Sequence, residues 1–190
     1  MIPADTPPMA RIILKKGDFG SIMIQKIAEL EGKSGISLGL AQKVLLAETG
    51  TVEQVLSILT GSKVTVKVGM QKENAKTITR QSLIVNDAGK VLIRAHSRIL
   101  VCNLPAKVVS QIRRQELGIG TIIASSGLET FRKIVQVGYD PISKSVFRKY
   151  QIICRKKVAF VIMEELVGIE WTGWDLNPRP QQCQCRILPD

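Results

Sequence analysis

The sequence predicts an α+β fold, with an antiparallel sheet of about five to six strands and helices packed on it. Two observations favour this fold. The predicted strands follow one another mostly as hairpins, and the predicted helices are grouped before and between them. A parallel sheet would instead require a regular alternation of strand and helix. With 190 residues, 45% of them hydrophobic, the chain is long enough for one domain with a substantial core.

Residues 1–36 are predicted to be an N-terminal extension that is partly disordered, because residues 1–9 are rich in proline. Four apolar residues further on are spaced as one face of a short helix ending near Gly32. They are Ile22, Ile24, Ile27 and Leu30.

A helical hairpin is predicted over residues 37–61. Apolar residues repeat at helical spacing on both sides of Gly50, and Gly61 closes the second stripe. Thr51 and Gln54 have the spacing of a capping box, in which Thr51 caps the second helix and Gln54 reaches back to it.

The central feature of the sequence is a β-hairpin over residues 76–101, preceded by a half-buried strand from Val64 to Gly69. Side chains alternate along a strand, so one face of its first arm carries Ile78, Arg80, Ser82 and Ile84. An arginine on such a face is either an edge decoration or an anion clamp, and the pattern alone does not choose between them. The return arm carries His96, the only histidine of the chain.

A helix opening at Pro105 is predicted next, followed by the glycine-punctuated segment 117–126. That segment lacks the lysine and second glycine of a phosphate-binding loop. Three more strands follow, over residues 128–138, 145–155 and 158–167. In the last of them, Glu164 shares a face with Phe160 and Ile162, and Glu165 shares the other face with Val161 and Met163.

The formal net charge of +11 attracts anions, which include nucleic acids, membrane surfaces and small acids. The basic residues are scattered in short pairs, aromatic residues make up only 4% of the chain, and no zinc-finger, basic-zipper or RNA-recognition signature is present. We therefore expect no nucleic-acid partner. A nucleic-acid-binding function, the alternative that the charge suggests, would require basic side chains clustered on one face.

The four cysteines, with one histidine, do not make a zinc set. Cys102 and Cys154 lie in apolar strands, which fits a reducing compartment. No apolar run is long enough to cross a bilayer, and no secretory signal is visible. We expect a cytoplasmic protein that has no membrane partner.

The order of motifs resembles the chorismate lyase-like family, in particular its prokaryotic branch of chorismate pyruvate-lyases that form 4-hydroxybenzoate. The resemblance covers roughly residues 37–170. The motifs that carry it are Leu38–Leu46 leading into Gly50–Val52, Leu56–Gly61, Arg80, Asp87–Gly89, Ala95–Ser97, Leu117–Gly120, Leu128–Arg132, Val135–Tyr139 and Glu164–Leu166.

The resemblance implies a lyase that converts chorismate to 4-hydroxybenzoate and pyruvate without metal or cofactor, acting on a small anionic substrate. Arg80 matches the arginine that binds the ring carboxylate, and Arg132 matches an arginine suited to the second carboxylate. The catalytic glutamate matches Glu164 or Glu165, with Glu164 requiring the smaller insertion. Segment 117–126 is similar to a flap that covers the site.

One position departs from the family pattern. His96 stands where the family commonly has the arginine of an Ala-Arg-Ser motif, and Arg98, which shares the face of His96, is expected to compensate as a second substrate-binding residue. The alternative is a non-catalytic module that binds small aromatic acids on the same fold.

Residues 171–190 form a polar, proline-rich tail that is unlike the rest of the chain and contains Cys183 and Cys185. Trp174–Pro178 can be encoded by a sequence whose reverse complement resembles the T-arm of a transfer-RNA gene. We hypothesise that the reading frame runs into such a gene and that this tail was not shaped for folding.

Overall fold

The computed structural model describes the backbone of residues 12–15 and the backbone and side chains of residues 20–169. It confirms the α+β fold. The strands are β1 (Ile12–Lys15), β2 (Val64–Glu73), β3 (Thr77–Asn86), β4 (Val91–Leu100), β5 (Thr130–Asp140), β6 (Ser145–Cys154) and β7 (Lys157–Leu166). The helices are α1 (Ser21–Ser34), α2 (Leu40–Ala47), α3 (Val52–Thr60), α4 (Ala106–Arg114) and α5 (Ile119–Ser126).

The strands form one seven-stranded sheet in the order β1-β5-β6-β7-β4-β3-β2, and every neighbouring pair is antiparallel. Six strands are those predicted from the sequence, and β1 is an additional edge strand. The sheet consists of two meanders, β2-β3-β4 and β5-β6-β7, joined by the pairing of β4 with β7. These two strands therefore occupy the middle of the sheet.

One face of the sheet, here called the inner face, packs against the helices. Its buried residues include Ile78, Ile99 and Phe160, which belong to one hydrophobic core with Leu45, Leu56 and Ile112 of the helices. The opposite, outer face exposes the alternate side chains of β3 and β4. The four residues predicted to share one face of β3 are all buried, as the alternation of side chains along a strand requires. They are Ile78, Arg80, Ser82 and Ile84.

Helix α1 is present, but the predicted buried face was wrong. Ile22 and Ile24 are 45% and 71% exposed, whereas Met23, Ile27 and Leu30 are buried. These three residues have the spacing i, i+4 and i+7 of a single helical stripe, and the prediction overlooked Met23. Helix α1 therefore contributes to the same hydrophobic core as the helices and strands that follow position 37.

The predicted capping box at α3 is not formed, because Thr51 makes no side-chain capping hydrogen bond. A comparable contact occurs at α2, where the Gln42 side chain accepts a hydrogen bond of 3.0 Å from the N–H of Gly39. Residues 1–11 and 170–190, with Cys183 and Cys185, lie outside the described residues. No helix in the described part of the chain is long and apolar enough to span a bilayer.

Candidate functional site

Two adjacent rows of mostly polar side chains lie across the middle of the inner face, where strands β3, β4, β7 and β6 run side by side. The first row is Arg80, Ser97, Ile162 and Tyr150. The second row is Ser82, Ala95, Glu164 and Arg148. Because opposite residues of paired strands point to the same face, both rows face the helices.

The middle of these rows is built from small side chains, Ser82, Ala95 and Ser97, where the rest of the core has Ile, Leu and Phe. This change in size leaves a cavity of about 40 Å³ between the sheet and the helices. Its roof is formed by the start of α3 and by residues 118–120 at the start of α5. The cavity holds no more than a few water molecules in this conformation.

Arg80 is 2% exposed, and its hydrogen bonds in the described part of the chain go to uncharged acceptors. Its Nε donates to Gln71 Oε1 at 2.8 Å, its Nη1 to the carbonyl oxygen of Leu117 at 3.0 Å, and its Nη2 to the carbonyl oxygen of Ile112. Burial lowers the pKa of Arg80, but a guanidinium remains charged in proteins.

A guanidinium has five N–H donors, and these contacts use three of them. No carboxylate of the described residues forms an ion pair with Arg80. A buried charge is costly unless an opposite charge compensates it. Arg80 therefore has the properties of an anion receptor, with donors left for a carboxylate.

Glu164 is 3% exposed and firmly held. Its Oε1 accepts a hydrogen bond of 2.8 Å from the Tyr150 hydroxyl, and its Oε2 accepts one of 2.8 Å from Nε of Arg148. Nη2 of Arg148 lies 2.8 Å from the same Oε2 in an ion pair. Burial, together with the charge of Glu164, raises the pKa of Tyr150 well above its usual value, so the phenol stays protonated. A carboxylate offers about four acceptor positions, so Glu164 has room for about one further donor.

Arg148 is shared between two carboxylates. Besides Glu164, it contacts the Glu48 side chain, with 3.2 Å between Nη2 and Oε2, and donates through Nη1 to the Glu48 carbonyl oxygen. Burial alone would lower the pKa of Arg148, but the negative charges of Glu164 and Glu48 raise it. Its guanidinium also lies 5.0 Å from the centre of the Tyr150 ring.

Arg148 and Tyr150 were not among the site residues predicted from the sequence. The signal was present, since both alternate on β6 with the apolar residues Ile152 and Cys154 and thus share their buried face. Polar residues in the apolar register of a strand are candidates for a buried site.

Arg132 faces the cavity from β5 and is half-buried. Its Nη1 donates to the Thr49 carbonyl oxygen at 3.2 Å, and its Nε is buried without a hydrogen-bond partner in the described part of the chain. The same side chain borders an apolar groove of about 510 Å³ between α1, α2 and β5. Arg132 is thus a cation with spare donors at the edge of the cavity.

His96 and Arg98, which were predicted to bind the substrate, do not line this cavity. His96 pairs with Gln81 and Arg98 with Thr79, whereas Ser97 is the partner of Arg80. Because the side chains of β4 alternate, both residues point to the outer face. There they border a cleft of about 490 Å³ that Arg80, Lys149 and Met163 also line.

Glu165 also points to the outer face, so the structure separates it from Glu164. Its Oε1 accepts a hydrogen bond of 2.5 Å from the Ser145 hydroxyl, and its Oε2 lies 3.8 Å from Arg94. Although burial opposes the effect, these groups and Ser143 lower the pKa of Glu165. Of the two candidate glutamates, only Glu164 lines the cavity.

The chain is similar to one curated protein, the chorismate pyruvate-lyase of Mycobacterium leprae (strain TN). The two are 24% identical in an alignment that covers 78% of this chain and 82% of the relative. No family model matches. This similarity supports at most a chorismate lyase-like family.

Proposed function

We propose that the protein is a chorismate pyruvate-lyase, which converts chorismate to 4-hydroxybenzoate and pyruvate without metal or cofactor. The observation that carries the proposal is Arg80, a buried cation without a carboxylate partner among the described residues, on the same face as the held carboxylate of Glu164. The similarity to a chorismate pyruvate-lyase points to the same chemistry.

The geometry suits a ring with a carboxylate at one end and a hydroxyl at the other. Arg80 and Glu164 are two strands and two residues apart in the register, which corresponds to about 12 Å between their Cα atoms. Two side chains and one six-membered ring can bridge that span. The small side chains of Ala95 and Ser97 lie beneath the path of such a ring.

In the proposed complex, Arg80 binds the ring carboxylate and Glu164 accepts a hydrogen bond from the ring hydroxyl. As the ring becomes aromatic, this hydroxyl becomes a phenol and thus a stronger donor, so its bond to Glu164 strengthens towards the transition state. Arg148 and Tyr150 hold the Glu164 carboxylate still for this contact.

Arg132 is proposed to meet the second carboxylate, on the enolpyruvyl group. Its unpartnered Nε supports this role, because a buried donor without an acceptor is costly until a ligand supplies one. The cavity of about 40 Å³ is too small for the substrate, so segment 117–126 is proposed to open as a flap. Arg80 is bonded to the carbonyl of Leu117 at its start.

We place the reaction in a reducing compartment such as the cytoplasm. Cys154 is a buried free thiol in β6, whereas Cys102 is free but exposed and lies in a 3₁₀ turn after β4, not in the strand predicted for it. Free thiols are the usual state of cysteine in such a compartment.

The test is incubation of the purified protein with chorismate, following 4-hydroxybenzoate and pyruvate. We expect equal amounts of both products. Arg80→Met removes a charge-assisted contact worth about 3 kcal/mol, which corresponds to about a 100-fold loss of kcat/KM. Arg98→Met is the matched control, because it removes an arginine from the other face of the same sheet, and it should retain activity.

Absence of turnover by the wild-type protein would contradict the lyase. If that protein nevertheless binds 4-hydroxybenzoate through Arg80, the fold serves as a binding module for small aromatic acids.

A further inference from the structure

A second carboxyl group, that of Glu53, lies at the cavity opposite the sheet. Glu53 stands in the first turn of α3 and lines the cavity together with Glu164. Its carboxylate packs against the start of α5. A Cβ atom placed on Gly118 would lie 2.7 Å from its Oε1, and one on Gly120 would lie 3.0 Å from its Oε2. The two glycines therefore leave the space that the carboxyl group fills.

Glu53 differs from the other carboxylates at this place because it has no ion-pair partner among residues 20–169. Arg148 is used by Glu164 and Glu48, and Arg132 donates to the backbone of Thr49. Three carboxylates thus lie near the guanidinium groups of Arg148 and Arg132, and that of Glu53 has neither group as an ion-pair partner.

The surroundings favour that proton on Glu53. Burial raises the pKa of Glu53, and the negative charges of Glu164 and Glu48 raise it further. The backbone N–H of Glu53 and the charge of Arg132 act in the opposite direction, but the net effect is a raised pKa.

We infer that Glu53 is the proton-transferring catalytic residue of this cavity. The inference rests on the proposed function, to which it adds the group that moves the proton. Elimination of pyruvate from chorismate requires a proton on the methylene carbon of the enolpyruvyl group and loss of a proton from the ring carbon that bears the hydroxyl. A single carboxyl group can perform both transfers.

In the first step, the proton of the Glu53 carboxyl group bonds to the methylene carbon, using the π electrons of the enol ether. The bond between the ring and the ether oxygen then breaks. Its electron pair forms the carbonyl group of pyruvate and leaves a ring cation. In the second step, the Glu53 carboxylate takes the proton from the hydroxyl-bearing carbon, and the ring becomes aromatic. Glu53 ends protonated as it began, so no external acid, base or oxidant is consumed.

The first test is the origin of the third hydrogen of the pyruvate methyl group. In a protein equilibrated in D₂O the Glu53 carboxyl group carries deuterium, so a single turnover with the wild-type protein in excess over chorismate should yield pyruvate with one deuterium atom per molecule. Pyruvate is reduced to lactate as it forms, because exchange of its methyl hydrogens with the solvent would otherwise add deuterium. The deuterium content of the lactate is then measured by mass spectrometry. Pyruvate without deuterium would show direct transfer of the ring hydrogen and would overturn the inference.

The second test is Glu53→Gln, which keeps the shape of the side chain but cannot deliver and retake a proton. Loss of a general acid and base typically costs 10² to 10⁴ in rate, so kcat should fall by at least about 100-fold while KM changes by less than about threefold. The wild-type kcat should fall as pH rises through the raised pKa of Glu53, and the variant should lack this dependence. Glu29→Gln, at an exposed carboxylate of α1, is the matched control and should keep full activity.

The outcomes separate the two proposals. Absence of product from the wild-type protein overturns the lyase together with this inference. Product formation that Glu53→Gln leaves unchanged overturns only the role of Glu53. The variant is expected to fold, because it removes a half-buried carboxylate that has no ion-pair partner among residues 20–169.

Discussion

Arg80 and Arg148 are equally buried, at 2% exposure, but their charges are compensated in different ways. Arg148 is neutralised by Glu164 and Glu48, whereas Arg80 is held by neutral carbonyl and amide oxygens. Arg148 is thus a structural cation that positions a carboxylate. Arg80 keeps unused N–H donors and has no carboxylate partner among the described residues, as expected of a residue that binds an anionic ligand.

The pair formed by Arg148 and Glu164 should be strongly coupled. Arg148→Met leaves Glu164 buried without its counter-charge, and breaking a buried pair in this way costs about 3–5 kcal/mol. In Arg148→Met/Glu164→Leu, the loss should be smaller than the sum of the two single variants by about 1–3 kcal/mol. Urea denaturation of the wild-type protein, the two single variants Arg148→Met and Glu164→Leu, and the double variant measures this coupling. Strict additivity of the two single losses would contradict it.

Glu53 should make the protein less stable as pH rises. Its raised folded pKa means that, between the unfolded pKa of about 4.3 and the folded value, the folded state binds more protons than the unfolded state. The free energy of unfolding therefore falls with increasing pH in this window. Urea denaturation at a series of pH values should show that Glu53→Gln removes this contribution. An unchanged pH dependence would show that the carboxyl group is not perturbed.

At the scale of the elements, alternation along β4 decides which residues can act together. Ser97 faces the cavity, and its neighbours His96 and Arg98 face the outer cleft. The departure from the family pattern at His96 therefore does not touch the proposed active site. The outer face does gather Arg94, Arg98 and Lys149, with Glu165 beside Arg94.

Substitutions on β4 should follow this alternation. His96→Ala should change kcat/KM for chorismate by less than about twofold, because its side chain points away from the cavity. Ser97→Leu places a bulky side chain on the cavity floor, so it should reduce activity by about 10-fold or more, the effect of roughly 1.4 kcal/mol lost in binding. Steady-state kinetics of both variants, with thermal unfolding to confirm folding, provides the check. The reverse ranking would contradict the assignment of the faces.

The contact between α3 and segment 117–126 depends on Gly118. An alanine Cβ there would lie 2.7 Å from Glu53 Oε1 and 2.9 Å from Val66 Cγ2, so Gly118→Ala should destabilise the protein by about 1–3 kcal/mol. Gly32→Ala in α1 is the matched control, since nothing lies within 4 Å of its added methyl group. It should be neutral or stabilise by up to about 1 kcal/mol. Equal effects of the two variants in urea denaturation would contradict close packing at Gly118.

At the scale of the whole molecule, the site exists because two meanders meet. Arg80 comes from the β2-β3-β4 meander, and Glu164, Arg148 and Tyr150 come from the β5-β6-β7 meander. Only the pairing of β4 with β7 brings their side chains onto one surface. A ligand bound between Arg80 and Glu164 would therefore bridge the two halves of the sheet.

Because the site forms where two meanders pair, only some of its features could be predicted from the sequence. The hairpins, the inner face of β3 and the placement of Glu164 with Phe160 and Ile162 follow from local alternation, and the structure confirms them. Which strands pair across the middle of the sheet depends on contacts distant in sequence, so the partners of Glu164 were missed. In β5, the register shift between Ile134 and Gln136 ends the simple alternation, which a pattern of residue types does not reveal.

The most direct measurement of the central claim is a crystal structure of the protein with 4-hydroxybenzoate, the proposed product. We predict that its carboxylate lies on the free N–H groups of Arg80 and its hydroxyl on Glu164, with residues 117–126 moved to admit the ring. A ligand in the outer cleft beside His96 and Arg98, with the Arg80 contacts unchanged, would contradict the account.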